Sequence, residues 1–209
     1  MDVLSPVLHL LLINFKPGAG EAERQALVEE LGGLRAIEGV LHVGVARAAS
    51  DESTHAQALF AYLRDAAALE AYGSHPLHIE YLRSRFLPVV QDAVSIDVGV
   101  QAAPPTEYDL ASCHCANFRP DTYDWQIRSL FERAAQAGGD AGGCTISGGV
   151  ALNERQRYRA AAVMFWSKAE ASGGDDFYAA QRGLFDDAWG PIVSEEARVT
   201  GPAHPLRAP

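Results

Sequence analysis

Hydrophobic and polar positions change period several times along the chain. Val7 to Phe15 (VLHLLLINF) is a nearly unbroken apolar run closed by Lys16-Pro17-Gly18, as in a buried strand ended by a turn. From Glu21 the period becomes helical. Ala22, Ala26, Leu27, Leu31 and Leu34 recur at helical spacing with acids early, and Gly32-Gly33 weaken the end. Val40 to Ala46 alternates as a second strand, and Ala56 to Leu63 reads as a third. Asp65 opens a short helix that ends at Gly73. Ser74 is the expected N-cap of a longer helix to about Phe86, with Pro76 in its first turn. Val94 to Val100 is a fourth strand, which gives the order β-α-β-β-α-α-β.

Ala102-Ala103-Pro104-Pro105-Thr106 breaks the pattern, and residues 102–107 read as a linker. The order then repeats. Leu110 to Phe118 is a strand, Tyr123 to Ala137 a helix, and Thr145 to Val150 and Arg159 to Ser167 are strands. Helices are expected at Asp175 to Phe185 and Pro191 to Ala197. "INFKP" at 13–17 answers "ANFRP" at 116–120, a spacing of 103 residues. The chain thus divides into a first unit (1–101), a linker, a second unit (108–201) and a flexible tail (202–209). Each unit is α+β, a four-stranded sheet with helices on one face. The uncovered face of each sheet is apolar, so the two must pack against each other and close a barrel.

With 209 residues, of which 48% are apolar, two such units can bury a shared core. The net charge of −10 is spread along the chain, and no basic stripe suggests a nucleic-acid partner. The first apolar run lacks a basic leader and is too short to span a bilayer, so no membrane partner is expected. Cys113, Cys115 and Cys144 contain no CxxC pair and read as reduced thiols of a cytoplasmic protein.

The heptapeptide YGSHPLH (72–78) is the densest cluster of chemistry-bearing residues. Together with LHLLLINFKP (8–17), THAQALFAYLRD (54–65) and FLPVVQDAVSIDV (86–98), it resembles the dimeric α/β-barrel family, also called the stress-responsive A/B barrel. The resemblance covers nearly all of the first unit. It extends more weakly to the second through CANFRP, FYAAQRGLF and GPIV. It implies two fused ferredoxin-like units packed sheet to sheet as an intramolecular dimeric α/β barrel. Whether two such chains pair further is left open. The family's polyketide cyclases close a linear substrate by aldol condensation without metal or organic cofactor. By resemblance to them, Tyr72 and His78 are the catalytic pair, and His9 and His75 are pocket residues. Leu11, Leu27 and Leu59 are expected to bind substrate.

The residue types suit that chemistry. Histidine titrates near neutrality and can remove a carbon-bound proton, while a protonated tyrosine can donate to the oxyanion that forms. The imidazole of His75 could instead simply cap its helix. Alternation puts His9, Leu11, Ile13 and Phe15 on one face of the first strand and Leu8, Leu10 and Leu12 on the other. His9 is a pocket residue if its face looks into the barrel. His75 and His78 lie three apart, but no third ligand stands at a supporting spacing, so no metal is expected. In the second unit Tyr178 stands for Tyr72, while Gln181, Leu184 and Ser112 replace His75, His78 and His9. One site per chain follows, with Phe165, Trp166 and Trp189 either core residues or contributors to its wall. Alternation sets the sulfurs of Cys113 and Cys115 opposite His114.

The expected function is a cofactor-independent cyclase or lyase acting by proton abstraction on a hydrophobic carbonyl, polyketide-like substrate. The alternatives are a non-catalytic stress-related ligand-binding barrel and a cofactor-free monooxygenase on a phenolic substrate.

Overall fold

The computed structural model describes residues 5–49, 52–101, 104–140, 144–167 and 189–206. The first unit runs β1 (Val7–Phe15), α1 (Glu21–Leu31), β2 (Val40–Arg47), β3 (Gln57–Leu63), α2 (Ala66–Ser74), α3 (Pro76–Tyr81), α4 (Leu87–Val89) and β4 (Val90–Gly99). A 3-10 turn at Gly32–Ala36 ends α1, and a π-helical turn at Leu82–Phe86 joins α3 to α4. The second unit runs β5 (Leu110–Phe118), α5 (Asp124–Asp140), β6 (Cys144–Val150), β7 (Ala160–Trp166) and β8 (Val193–Pro205).

The strand order is β4-β1-β3-β2-β8-β5-β7-β6, with antiparallel pairing throughout. The sheet curls until its two edge strands approach, where a single bridge joins Val98 of β4 to Ala151 just beyond β6. Inside the curl lies one core built from both units. Leu8, Leu10, Leu12, Phe60 and Ile96 meet Cys113, Cys115, Val163, Phe165 and Val199, all at most 1% exposed. The uncovered sheet faces therefore do bury each other, as their pattern requires.

Pseudo-symmetry extends to the register. In β1 the pairing with β4 slips between Asn14 and Phe15, and in β5 the pairing with β8 slips between Asn117 and Phe118. His9 faces Asp97 across its ladder, and Ser112 faces Thr200 across the corresponding one. The second unit thus repeats the first at the spacing that INFKP and ANFRP set.

Three expectations are corrected. The helix expected over Pro191 to Ala197 is instead, from Val193, the start of β8, because Val193 to Pro202 pair along the whole of β5. The flexible tail expected from 202 is strand to Pro205. Gly44, Val45 and Ala46 of β2 pair with Pro205, His204 and Ala203, and this pairing joins the two half-sheets. The Leu206 amide also donates to Val43, at 2.8 Å. Finally, Ser74 does not cap α3. Its hydroxyl donates back to the carbonyls of Glu70 and Ala71, closing α2. The cap is His75, whose Nδ1 accepts from the Leu77 amide at 3.2 Å, with Pro76 at the first helical position. The expected helix over Asp175 to Phe185 lies outside the described residues. No described helix is long and apolar enough to cross a membrane.

Candidate functional site

The His9 face of β1 does not look into the barrel. The interior is filled by the Leu8, Leu10 and Leu12 face, while Ile13, Leu11 and Phe15 pack toward the helices. The sheet–helix layer contains a small cavity lined by His9, Leu11, Leu59, Tyr72, His78 and Phe86, among others. Its volume of about 20 Å³ holds little more than one water molecule.

Local structure explains how the polar groups arrive there. Asp65 caps α2 by accepting from the Ala68 amide at 2.8 Å. Tyr72, near the end of α2, is 3% exposed. The chain then breaks at His75 and restarts at Pro76, which brings His78 back over Tyr72. Their ring centroids lie 4.2 Å apart. The His9 ring meets Tyr72 edge-on at 5.9 Å. Tyr81 closes the inner end, with its hydroxyl donating to the Leu27 carbonyl at 3.0 Å. Leu82 and Phe86 reach the cavity from the π-helical turn, a widened helical geometry often found beside functional sites.

Electrostatics divides the groups by role. Burial pushes the Tyr72 phenol well above its ordinary range, and the nearby Asp97 carboxylate adds to this, so the hydroxyl stays protonated. Burial lowers the His78 pKa below the ordinary 6.5. A contact to the Gly73 carbonyl acts in the opposite direction, and His9 and His75 lower it further. His78 is therefore neutral at pH 7. Its Nδ1 lies 3.4 Å from the Gly73 oxygen; a proton held there leaves the Nε2 lone pair free. His9 Nδ1 lies 2.5 Å from Asp97 Oδ1, a short bond that fixes the proton on Nδ1 and leaves Nε2 as the basic nitrogen.

Of the seven residues singled out in the sequence, the cavity brings together Tyr72, His78, His9, Leu11 and Leu59. His75 is the helix cap, and Leu27 is fully buried core beneath α1. Asp97 was missed, although it lies in the FLPVVQDAVSIDV stretch that carries the resemblance. Tyr81, Leu82 and Phe86 were missed because a longer regular helix conceals the π-helical turn. Among the described residues, no three His, Cys, Asp or Glu side chains are grouped to hold a metal ion.

The second unit fills the equivalent place differently. Ser112 Oγ lies 2.7 Å from Thr200 Oγ1 and 2.6 Å from His114 Nε2, and His114 Nδ1 lies 2.6 Å from Glu196 Oε1. Trp189 packs against Phe118 and Phe131 in the second unit's own core, and Trp166 joins that core. Phe165 lies inside the barrel against Phe60. None of the three lines the first unit's cavity. The positions of Tyr178, Gln181 and Leu184 lie outside the described residues.

Two ferredoxin-like units that share one barrel core, with polar groups gathered between a sheet and its helices, define the dimeric α/β-barrel class. Residues 7–100, nearly all of the first unit, match the model of the stress-responsive A/B barrel domain. The fold as a whole is similar to that of a candidate monooxygenase from Fusobacterium nucleatum, at TM-score 0.63 and 11% identity, covering 99% of this chain and 94% of that one. A candidate monooxygenase from Lactobacillus acidophilus gives 0.63 and 10%, covering 98% and 97%. An anthrone oxidase-like protein gives 0.57 and 16%, covering 99% and 94%. These likenesses show the fold. No curated protein sequence matches the chain.

Proposed function

We propose that the chain is a cofactor-independent enzyme that abstracts a carbon-bound proton from a hydrophobic carbonyl compound and promotes aldol-type ring closure. The carrying observation is the close contact of a neutral imidazole with a protonated phenol, His78 tilted against Tyr72 with ring centroids 4.2 Å apart, at the wall of an apolar cavity. Nε2 of His78 takes the proton from the carbon between two carbonyls. The Tyr72 hydroxyl donates to the enolate oxygen and then to the alkoxide formed at the attacked carbonyl. His9, held by Asp97, lies within the same cavity and can relay the proton. The cavity as it stands is too small for such a substrate, so binding displaces the π-helical turn carrying Leu82 and Phe86. The proposed setting is the cytoplasm, where the thiols of Cys113, Cys115 and Cys144 stay reduced.

A second reading, a cofactor-free oxygenase acting on an electron-rich phenol, draws on the names of the fold relatives. Incubation with linear poly-β-ketones and with phenols, with and without oxygen, separates the two. Cyclisation that continues without oxygen and falls about 100-fold or more in Tyr72→Phe and His78→Ala supports the cyclase. Product formation that requires oxygen supports the oxygenase and rejects the cyclase.

A further inference from the structure

The two units do more than share a core. Each sends the connection between two of its strands across to the last strand of the other. From the first unit, Ala49 donates to the Thr200 carbonyl at 2.9 Å, and Ser53 Oγ accepts from the Thr200 amide at 3.1 Å. From the second unit, Leu152 donates to the Asp97 carbonyl at 2.9 Å, and Gln156 Oε1 accepts from the Asp97 amide at 3.0 Å. The four residues correspond at the spacing of the repeat, Ala49 to Leu152 and Ser53 to Gln156. The backbone of each unit's last strand is thus braced in the same way, and a serine suffices to brace it.

Gln156 makes one bond more. Its Nε2 donates to Asp97 Oδ2 at 3.1 Å, while Asp97 Oδ1 holds His9. The amide can have only this orientation, because the Asp97 N–H needs an acceptor and the carboxylate needs a donor. The extra bond falls on the half that carries the His9–Asp97 pair at these two ladder positions. The half with Ser112 and Thr200 in those places has serine instead. We propose that Gln156 is a positioning residue for the first unit's site: it locks the Asp97 carboxylate, and through it the tautomer and ring orientation of His9. The second unit, without the histidine pattern itself, thereby completes the reaction centre of the first. This inference rests on the reading of His9 as part of the site, and it explains how a fused partner without histidines at the positions of His9, His75 and His78 can still be needed.

The carboxylate of Asp97 is accounted for on both oxygens, by His9 from β1 and by Gln156 from the opposite unit. On the cavity side His9 faces Tyr72 and lies near His78, whose pKa it helps to lower. Without the Gln156 donor the carboxylate is free to rotate and to take up water, since Asp97 and His9 side chains are 23% and 16% exposed. Fixing one carboxylate oxygen with a positioned donor is how outer-shell groups hold an imidazole to a single tautomer.

The test is Gln156→Ser in the full chain, the residue that the other half uses at this place. It keeps an oxygen near the Asp97 amide but cannot reach the carboxylate. The readout is the low-field proton of His9 Nδ1–H in the NMR spectrum, assigned by its loss in His9→Gln, and needs no substrate. Exchange of that proton with water should speed up about tenfold or more, with the melting temperature and the remaining amide spectrum unchanged. In Gln156→Glu the introduced carboxylate faces Asp97, and the signal should return only at a pH low enough to protonate that group and restore a donor. Equal exchange in the unsubstituted chain and Gln156→Ser overturns the inference, as does a missing low-field proton in the unsubstituted chain. A changed signal without cyclising activity would leave Gln156 as the positioning residue and reject only the proposed reaction.

Discussion

His42 offers a test of how the shared core treats a buried imidazole. It lies on β2, 8% exposed, with Nε2 2.8 Å from the Tyr108 hydroxyl and its ring stacked near Phe60. Burial, with the Arg35 guanidinium as a second cause, lowers its pKa from 6.5 to about 4. A histidine depressed in the folded state binds fewer protons folded than unfolded. Its contribution is therefore complete above the unfolded pKa and is lost as pH falls toward the folded one. The gap between 6.5 and about 4 corresponds to about 3 kcal/mol in total, of which about 2 kcal/mol is lost between pH 7 and pH 5. The assay is urea unfolding at pH 7, 6 and 5 for the unsubstituted chain and for His42→Gln, which retains a partner for Tyr108 but does not titrate. His55, His78 and His204 are depressed too, mainly by burial, but they contribute to both chains and cancel in the difference. The variant should lose about 2 kcal/mol less than the unsubstituted chain over that interval. Equal losses would refute the idea that the core holds His42 neutral.

Other consequences are more local. Truncation after Pro202 removes the residues that pair with Gly44, Val45 and Ala46. It should destabilise the chain by about 2 kcal/mol or more, read as a shift in the urea midpoint. Gly44→Ala would place a methyl 2.2 Å from the Tyr108 hydroxyl and 2.4 Å from the Phe60 ring, costing about 1–3 kcal/mol by thermal melting. The acid limb of any turnover should lie below pH 6.5, since the base works deprotonated and burial lowers the His78 pKa; a limb above that value would point to a different base.

The strands of the first unit were legible because continuous or alternating apolar runs and turn residues agreed on each one. The shared core was legible for a related reason, since each sheet had one face its own helices could not cover. The C-terminal stretch from Pro191 was misread. Its apolar positions are sparse, and strand identity there comes from a register shared with β5 and β2, a long-range fact that local pattern does not contain. The site was partly legible. Tyr72, His78 and His9 followed from the resemblance carried by YGSHPLH and LHLLLINFKP, whereas Asp97 and Gln156 matter through cross-strand and cross-unit contacts. Ser74 and His75 exchanged roles because an imidazole nitrogen accepts an amide hydrogen bond as a serine oxygen does, and the residue directly before Pro76 is the one placed to do so. The same exchange moves His75 from chemistry to folding and leaves Tyr72 and His78 to explain.

The central claim is that His78 removes a carbon-bound proton and Tyr72 stabilises the resulting enolate. The most direct measurement is deuterium incorporation from D2O into the carbon between the carbonyls of a hydrophobic β-diketone, followed by proton NMR and compared with buffer alone. The intact chain should accelerate exchange, His78→Ala should return it to the buffer rate, and Tyr72→Phe should slow it by about 100-fold, with all three chains equally folded. Exchange as fast in His78→Ala as in the intact chain would contradict the account.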